Sequence, residues 1–510
     1  MTSTFHSIET AKRSLLTTRV GLGTLGHNIS NANTEGYTRQ RVQIQATRPI
    51  EAFGMTHSAA AGQIGTGVEA TAINRVRNAF LDTQYRDENK YLGNWEVRSD
   101  TLSKLETIVN EPSETGLRTV LDNFWSAWSD LSKDPDNTTN REIVKQNALA
   151  LADSFNQTAK QLQSLSDDLT GSIDTKVQQA NVLLHAIADL NVQIKRNEST
   201  GDSANDLRDQ RDLYADQLSK MMNVNVSESG DGYTIAMGGT ALVAGEQVTD
   251  LTSAGVEAAY ASGDLNNGDL YGTIVSRDQY VKGYQDQLDT IARTLAEGDL
   301  QVTIPKGSTY NGVTLAADQV VTVKGINGLH QLGFTNESPA TKGEDFFTFD
   351  TTSGATGITA ASIRLNPAIE TDSNKIAVSM RTTTDAAGTS VVKGNNTLAL
   401  LISQLKDTKF SFDQTSTGGP VTQATMGVFY NSMVGAIGIQ AQEANRQYDN
   451  ANTLVSQAGS ARQSVSGVSL DEEMSDMIVF QNAYNAAARF MTVIDETLDK
   501  LINGTGSVGR

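Results

Sequence analysis

Apolar residues recur at alternating steps of three and four near one end of the chain: Met477, Phe480, Tyr484, Ala487, Met491, Ile494, Leu498 and Leu501. That spacing predicts one helix over Leu470 to Leu501 with an unbroken apolar seam. Ser469 and Glu472 match a capping box, with Asp471 and Glu473 adding negative charge to the first turn; Gly504 and Gly506 supply stop signals. The other end carries a second seam. Met1, Ile8, Leu15, Leu22 and Ile29 fall at steps of seven, with Ala11, Leu25 and Ala32 between them, and neither arm contains proline. Such arms are expected to pair with each other or to join a wall of like helices. One docking yields about 10–20 kcal/mol gross, at about 1.5–3 kcal/mol per large side chain. Ordering the backbone costs about 1–2 kcal/mol per residue, so a lone pair is marginal and neighbours complete it.

Between the arms the period changes three times. Ser30 to Tyr37 is rich in turn formers, and Val42, Ile44 and Ala46, then Val68, Ala70 and Ala72, alternate as strands do. From Phe80 the period is helical: Leu92, Trp95, Leu102, Leu105 and Val109 share a face, as do Leu117, Val120, Leu121, Phe124, Trp128 and Leu131. Asp134-Pro135 breaks the pattern, which resumes in heptads from Val144 to Ile194 and in a helix over about Asp206 to Met222. At Val224 the texture turns to alternation with frequent Gly, Thr and Asn. Asp231-Gly232 reads as a hairpin, and strands are expected at Leu300 to Ile304, Val320 to Val323, Phe346 to Phe349 and Ile376 to Met380, with a helix over Gly283 to Leu295. Heptads return from Met426 to Val465.

The fold class is therefore a multidomain, mainly α chain with a β-rich insertion, a central long helical bundle, and N- and C-terminal helices that pair as a coiled coil. The expected parts are an N-terminal arm (1–36), a helical core (37–223), the β-rich insertion (224–395), the second part of the helical core (396–468) and a C-terminal arm (469–510).

Composition narrows the function classes. Five hundred and ten residues imply several domains, and a net charge of −19 argues against nucleic acid or an anionic membrane as partner. There is no cysteine, which removes disulfides, thiolate zinc sites and cysteine nucleophiles. No apolar run approaches a membrane span, and Met1 to Val20 lacks a signal-peptide pattern.

Catalytic and cofactor motifs find no support. Gly21, Gly23 and Gly26 match G-x-G-x-x-G but lack the strand before and the βαβ unit after, so they read as small residues at a helix contact. His6, His27, His57, His185 and His330 lie far apart without metal-ligand spacing, and His185 reads as packed or solvated. Asp471, Glu472 and Glu473 read as helix capping rather than paired catalytic acids. No cofactor, no metal and no enzymatic activity is expected.

Leu25 to Gln40, reading LGHNISNANTEGYTRQ, resembles the N-terminal signature of bacterial flagellar rod, hook and hook-associated proteins. Val468 to Met474 and Gln481-Asn482-Ala483-Tyr484 resemble the C-terminal signature of the same superfamily. Ala204 to Asp212 with Gly238-Gly239, and Asp122 to Trp125 with Leu131-Ser132 and Pro135, narrow the resemblance to its hook–filament junction family. The likeness is strong over the termini and helical parts and slight over the insertion. Glu35 stands where that family usually has proline, which loosens the expected turn.

The resemblance implies a non-enzymatic structural subunit, exported uncleaved through the flagellar type III apparatus. It would form a ring between hook and filament, with its paired terminal helices innermost and the β domain outside. Partners would be copies of itself, hook protein, a second junction protein, and an export chaperone at the C-terminal helix. The expected assembly interface is Ile8, Leu15, Leu22, Leu25, Ile29, Asn31, Asn33, Gly36 and Tyr37 with Leu470, Met474, Met477, Phe480, Tyr484, Met491, Ile494, Leu498 and Leu501. The alternatives are a hook or distal rod protein, a secreted enzyme carried on flagellar-type ends, or a cytoplasmic coiled-coil scaffold.

Overall fold

The structure, a computed structural model, describes residues 4–48, 65–109, 113, 116–230, 232–385, 388–412 and 423–504. Met1 of the N-terminal seam, Asp231 of the expected hairpin and the stop signal Gly506 lie outside the described residues. The fold is mostly helical, with small antiparallel sheets between long helices. It divides into two compact units: residues 1–93, 176–270 and 450–510 form one, and residues 94–175 and 271–449 the other.

The chain begins with α1 (Thr4–Ser30), β1 (Gln40–Ala46) and β2 (Val68–Arg75). Next come α2 (Ala79–Val109), α3 (Leu117–Lys133), α4 (Thr138–Glu198) and α5 (Asn205–Met221). The heptads from Val144 to Ile194 are thus one continuous helix. α2 and α4 each contribute to both units.

In the first unit β1 and β2 pair antiparallel, with a bulge at Gln43/Ile44, and pack on α1. Strands β3 (Asn225–Ser229), β4 (Gly232–Met237), β5 (Thr240–Ala244) and β6 (Gln247–Val248) make an antiparallel meander in sequence order. Its alternation buries Tyr233, Ile235 and Met237 from one face of β4. The helices α6 (Ser253–Ser262) and α7 (Asp269–Val275) follow, and α6 is capped at Thr252, whose hydroxyl accepts from Gly255 N.

The second unit holds the larger apolar core. α3 buries Leu117, Leu121, Phe124, Trp128 and Leu131 on one face, as their spacing predicts. Its aromatic residues meet Phe346 and Phe347; the Trp128 and Phe346 ring centroids are 5.4 Å apart. α8 (Lys282–Glu297) buries Tyr284, Leu288, Ile291 and Leu295. β7 (Asp299–Ile304) pairs with β10 (Gln319–Lys324) around the two-residue strands β8 (Thr309–Tyr310) and β9 (Val313–Thr314). A short helix α9 (Gly325–His330) precedes β11 (Phe347–Phe349), which pairs with β12 (Ile363–Leu365).

One expected strand is absent. Ile376 to Met380 follows the short helix α10 (Pro367–Thr371) and forms no ladder, only an isolated bridge from Ser379 to Phe334. Its backbone finds irregular partners instead. Ala377 N donates to His330 Nε2 at 2.8 Å, Leu398 N and Thr309 N donate to Val378 O and Met380 O, and the buried Arg141 guanidinium donates to Ile376 O. The run is apolar because it is buried, and nothing in its alternation distinguishes a ladder from such a tie-down.

The chain closes with the hairpin β13 (Thr382–Asp385) and β14 (Gly388–Val391), then α11 (Thr397–Ser403) and the pair β15 (Phe410–Ser411) and β16 (Gln423–Ala424). Last come α12 (Met426–Ser466), shared by both units, and α13 (Leu470–Asp499), which runs into a π turn at Lys500–Gly504.

Candidate functional site

α1 and α13 pack along each other within the first unit. On α13 the predicted seam is the inward face: Ala487 and Ile494 are buried, and Met477, Phe480, Met491 and Leu498 half-buried. Tyr484 and Leu501 on the same line are exposed, as are Leu470 and Met474 outside it. On α1 the most buried line is Ala11, Thr18, Gly21, Leu25 and Asn28, while Ile8, Leu15, Leu22 and Ile29 flank it half-buried. The contact is thus turned by about one position from the heptad of large residues. Small residues let the partners come close: a Cβ on Gly21 would stand 2.4 Å from the Phe480 ring, and the Thr17 hydroxyl donates to Val68 O of β2 at 3.2 Å. Gly21 is therefore a helix-contact glycine, whereas Gly23 and Gly26 face open space.

A polar clasp closes one end of this pairing. Asn28 is fully buried; its Nδ2 donates to Glu473 Oε2 and to Gln40 O, both at 2.9 Å. Its Oδ1 accepts from the Tyr37 hydroxyl at 2.8 Å and from Gln40 N at 3.0 Å. Arg39 meets Glu472 and Glu473, each at 2.6 Å, and its own N–H donates to Ser466 O. Ser469 occupies the N-cap position of α13 without a side-chain capping bond. The expected capping box is therefore corrected: Glu472 and Glu473 hold the opposite end of the chain instead.

The turn after α1 is set without proline. Thr34 N and Tyr37 N donate back to Asn31 O and Thr34 O, and Asn31 Nδ2 donates to His27 O at 3.1 Å. Gly36 takes φ 80° against Leu213, a conformation that a side chain would strain. Asn33 and Glu35 are exposed.

The same turn is anchored to α5. Thr38 N donates to Asp209 Oδ2 at 2.8 Å, Gln40 Nε2 to Asp206 Oδ1 at 2.7 Å, and Asn205 Nδ2 to Ile73 O at 2.7 Å. Below it lies a buried ionic cluster in which Asp82, Asp209, Asp212 and Asp216 meet Arg75, Arg77, Arg86 and Arg462, charge for charge. Burial alone would raise the Asp212 carboxyl, but Arg77 and Arg75 beside it and the Tyr233 hydroxyl hold it down at about 2. Burial and Asp212 in turn push Tyr233 up to about 12. Burial leaves Asp209 above the usual carboxylate range despite Arg75 and Thr38. Burial, then Asp206, Asp209 and Glu473, also raise Tyr37.

Three stretches far apart in sequence, 25–40, 204–212 and 468–474, thus meet at one place. Sequence reasoning placed Tyr37 and Gly36 there but missed Asn28, Arg39, Glu473, Asp209 and Asp212. The available signal was Asn28 itself, a polar residue three positions after Leu25 on an apolar face.

Among the described residues no group of His, Asp and Glu is arranged to hold a metal, and no helix is long and apolar enough to cross a membrane. His185 is exposed and bonded to Asp250 at 2.7 Å. His330 is fully buried between Glu344 O and Ala377 N.

Comparison with known proteins supplies the context for this geometry. Residues 102–298 match the family described as the flagellar hook-associated protein FlgK helical domain. Residues 460–504 match the flagellar basal body rod FlgEFG protein C-terminal family. The flagellar hook-associated protein 1 of Bacillus subtilis (strain 168) is 33% identical over 541 residues, covering 100% of both chains. That of Escherichia coli (strain K12) is 26% identical, over 97% of this chain and 99% of its own. A solved structure of the flagellar hook junction protein FlgK from Burkholderia pseudomallei aligns with 75% of this chain and all of its own, at 15% identity and a TM-score of 0.49, and adds no weight to the assignment. On the full-length relationship the chain belongs to the flagellar hook-associated protein 1 family, a structural and non-enzymatic component of the bacterial flagellum.

Proposed function

We propose that this chain joins hook to filament, and that its paired terminal helices are the surface through which copies assemble. The carrying observation is an apolar stripe on α13 that the pairing with α1 leaves uncovered. Val479, Ala483, Ala486, Phe490 and Val493 follow steps of four and three, and Phe490 and Val493 remain 48% and 54% exposed. Exposed large apolar residues at that spacing call for a further helix. The residues named from sequence then divide in role. Met477, Phe480, Met491, Ile494 and Leu498, with Ile8, Leu15, Leu22, Leu25 and Ile29, hold the two arms together. Leu470, Met474 and Tyr484, exposed on α13, remain available to neighbours.

In this reading the arms are 1–36 and 469–510, and copies close into a ring with hook protein on one side and a second junction protein on the other. Before assembly the chain leaves by the flagellar type III route without a cleaved leader, and a chaperone with an apolar groove shields α13. A variant ending at Val468 should lose that chaperone.

Phe490→Asp tests the reading against Met491→Leu. A carboxylate at 490 is harmless in the free chain, where the site is wet, and costly in a packed wall. The expected outcome is unchanged melting, normal export and no attached filaments for Phe490→Asp, with near-parental behaviour for Met491→Leu. Parental filament attachment by Phe490→Asp would remove the reading.

A further inference from the structure

Two small hairpins of the second unit frame a cleft of about 270 Å³. On one side β8 and β9 are joined by the two-residue turn Asn311-Gly312, with φ 49° and 78° at its two positions. On the other, β13 and β14 present threonines, Thr382 foremost. Between them stands Phe334, whose backbone bridges to Lys342 and to Ser379. Main-chain bonds fix this frame: Thr309 N donates to Met380 O at 2.7 Å, and Ala340 N to Thr389 O at 2.8 Å. The cleft is therefore built before any ligand arrives. Its lining is of mixed character. Tyr310 and Phe334 contribute half-buried aromatic rings. Among the described residues the hydroxyls of Thr309 and Thr382, the Asn311 amide and the Lys342 ammonium have no hydrogen-bond or ion-pair partner.

We infer that this cleft binds one ring of a neutral oligosaccharide. A sugar ring carries C–H groups on its faces and hydroxyls around its edge. Aromatic rings pack against the first, and hydroxyl, amide and ammonium groups hydrogen-bond the second. The lining holds both kinds of group side by side, which is the composition of a small-molecule site with a few convergent polar groups. Other ligand classes fit less well. An apolar molecule would bury the free hydroxyls of Thr309 and Thr382 without partners. An anion would meet the wrong charge. Gln331 and Lys342 also line an adjoining depression, where Glu344 and Asp345 are exposed, and Lys342 is the one cation in either lining. Two acids for one cation disfavour a phosphate or a carboxylate. The same depression extends the cleft, so further sugar units continue past Lys342. The inference stands apart from assembly through α1 and α13.

The experiment is calorimetric titration of the full chain with two neutral probes, cellotriose and the β-1,4-linked trimer of N-acetylglucosamine, beside a trimer of galacturonic acid. At least one neutral trimer should bind with a Kd of about 1 mM or tighter, and the acidic trimer more weakly. Asn311→Gly combined with Thr382→Val removes an amide and a hydroxyl while keeping the frame, since glycine adopts the turn's positive φ freely and valine has the shape of threonine. That chain should melt like the parent and bind about tenfold more weakly, the loss of two hydrogen bonds. Thr322→Val, at an exposed position of β10, is the control and should bind as the parent does. If the double variant melts early, Lys342→Gln at its exposed position takes its place and should also weaken binding. Absence of binding by both neutral trimers overturns the inference. So does tighter binding of the galacturonate trimer, or parental affinity in the cleft variant.

Discussion

Asn28 and Glu473, separated by 445 positions, share one buried hydrogen bond: Nδ2 of the first donates to Oε2 of the second at 2.9 Å. An apolar seam alone is indifferent to sliding by a heptad, since each step of seven presents similar residues. A buried amide and carboxylate meet in one register only. Asn28→Asp would set a carboxylate against Glu473 and remove both amide donations. Disrupting a buried charged contact of this kind costs about 3–5 kcal/mol. Amide exchange in residues 4–30 and 470–499 is expected to accelerate strongly, with the second unit unchanged. Equal protection in parent and variant would show that the clasp does not hold the arms.

Asp212→Asn removes one negative charge from the cluster that balances Arg75, Arg77 and Arg86, and weakens the acceptor of the Tyr233 hydroxyl. The guanidinium groups stay buried, so the cost is about 3–5 kcal/mol. Asp130→Asn, which breaks an exposed pair with Lys133, is the control and should cost at most about 1 kcal/mol. Urea unfolding followed by hydrogen exchange over residues 205–221 distinguishes them; comparable effects would mean the cluster is not load-sharing.

His330 gives the second unit a pH dependence. Burial holds its imidazole down at about 4, against a donation to Glu344 O and with Arg141 acting in the same direction as burial. Between the ordinary value of about 6.5 and 4, the unfolded chain takes up a proton that the folded chain does not, so stability falls as pH falls. It is fully present above about 6.5 and reduced by on the order of 3 kcal/mol once pH passes below 4. The chain's three tryptophans, Trp95, Trp125 and Trp128, all belong to this unit, so their fluorescence follows its unfolding. A His330→Gln chain should show a flatter stability profile from pH 6.5 to 4. A parallel profile, merely displaced, would assign the acid sensitivity elsewhere.

Gly21 couples to Phe480. In an isolated helix Gly→Ala is worth about 1 kcal/mol. Here the added methyl would overlap the Phe480 ring, which must move. Gly21→Ala should therefore gain little in the parent and about 1 kcal/mol in a Phe480→Ala chain. Protection of the α1 amides in the four chains of the cycle measures the difference, and identical gains in both backgrounds would refute close packing at this point.

How far these features were legible follows from the range of the forces behind them. The sequence by itself determined the long helices and the longer strands, because burial of one face writes a period of 3.6 or 2 along a contiguous stretch, whereas the short helices and two- to five-residue strands are too brief to show one; the α13 seam from Met477 to Leu498 and the face of α3 are examples. It also determined that the two ends carry complementary apolar surface. Only the tertiary structure decided that Ile376 to Met380 is tied down by His330 and Arg141 rather than by a neighbouring strand, since an apolar run records burial and not its hydrogen-bond partners. It likewise decided the rotation of α1 onto Ala11, Gly21 and Asn28, which depends on how closely two backbones approach. The duties of Glu472 and Glu473 were settled the same way: near a helix start a carboxylate satisfies the local dipole as readily as a distant arginine. What selected between the two was the position of Arg39 more than four hundred residues away, and no local pattern carries that distance.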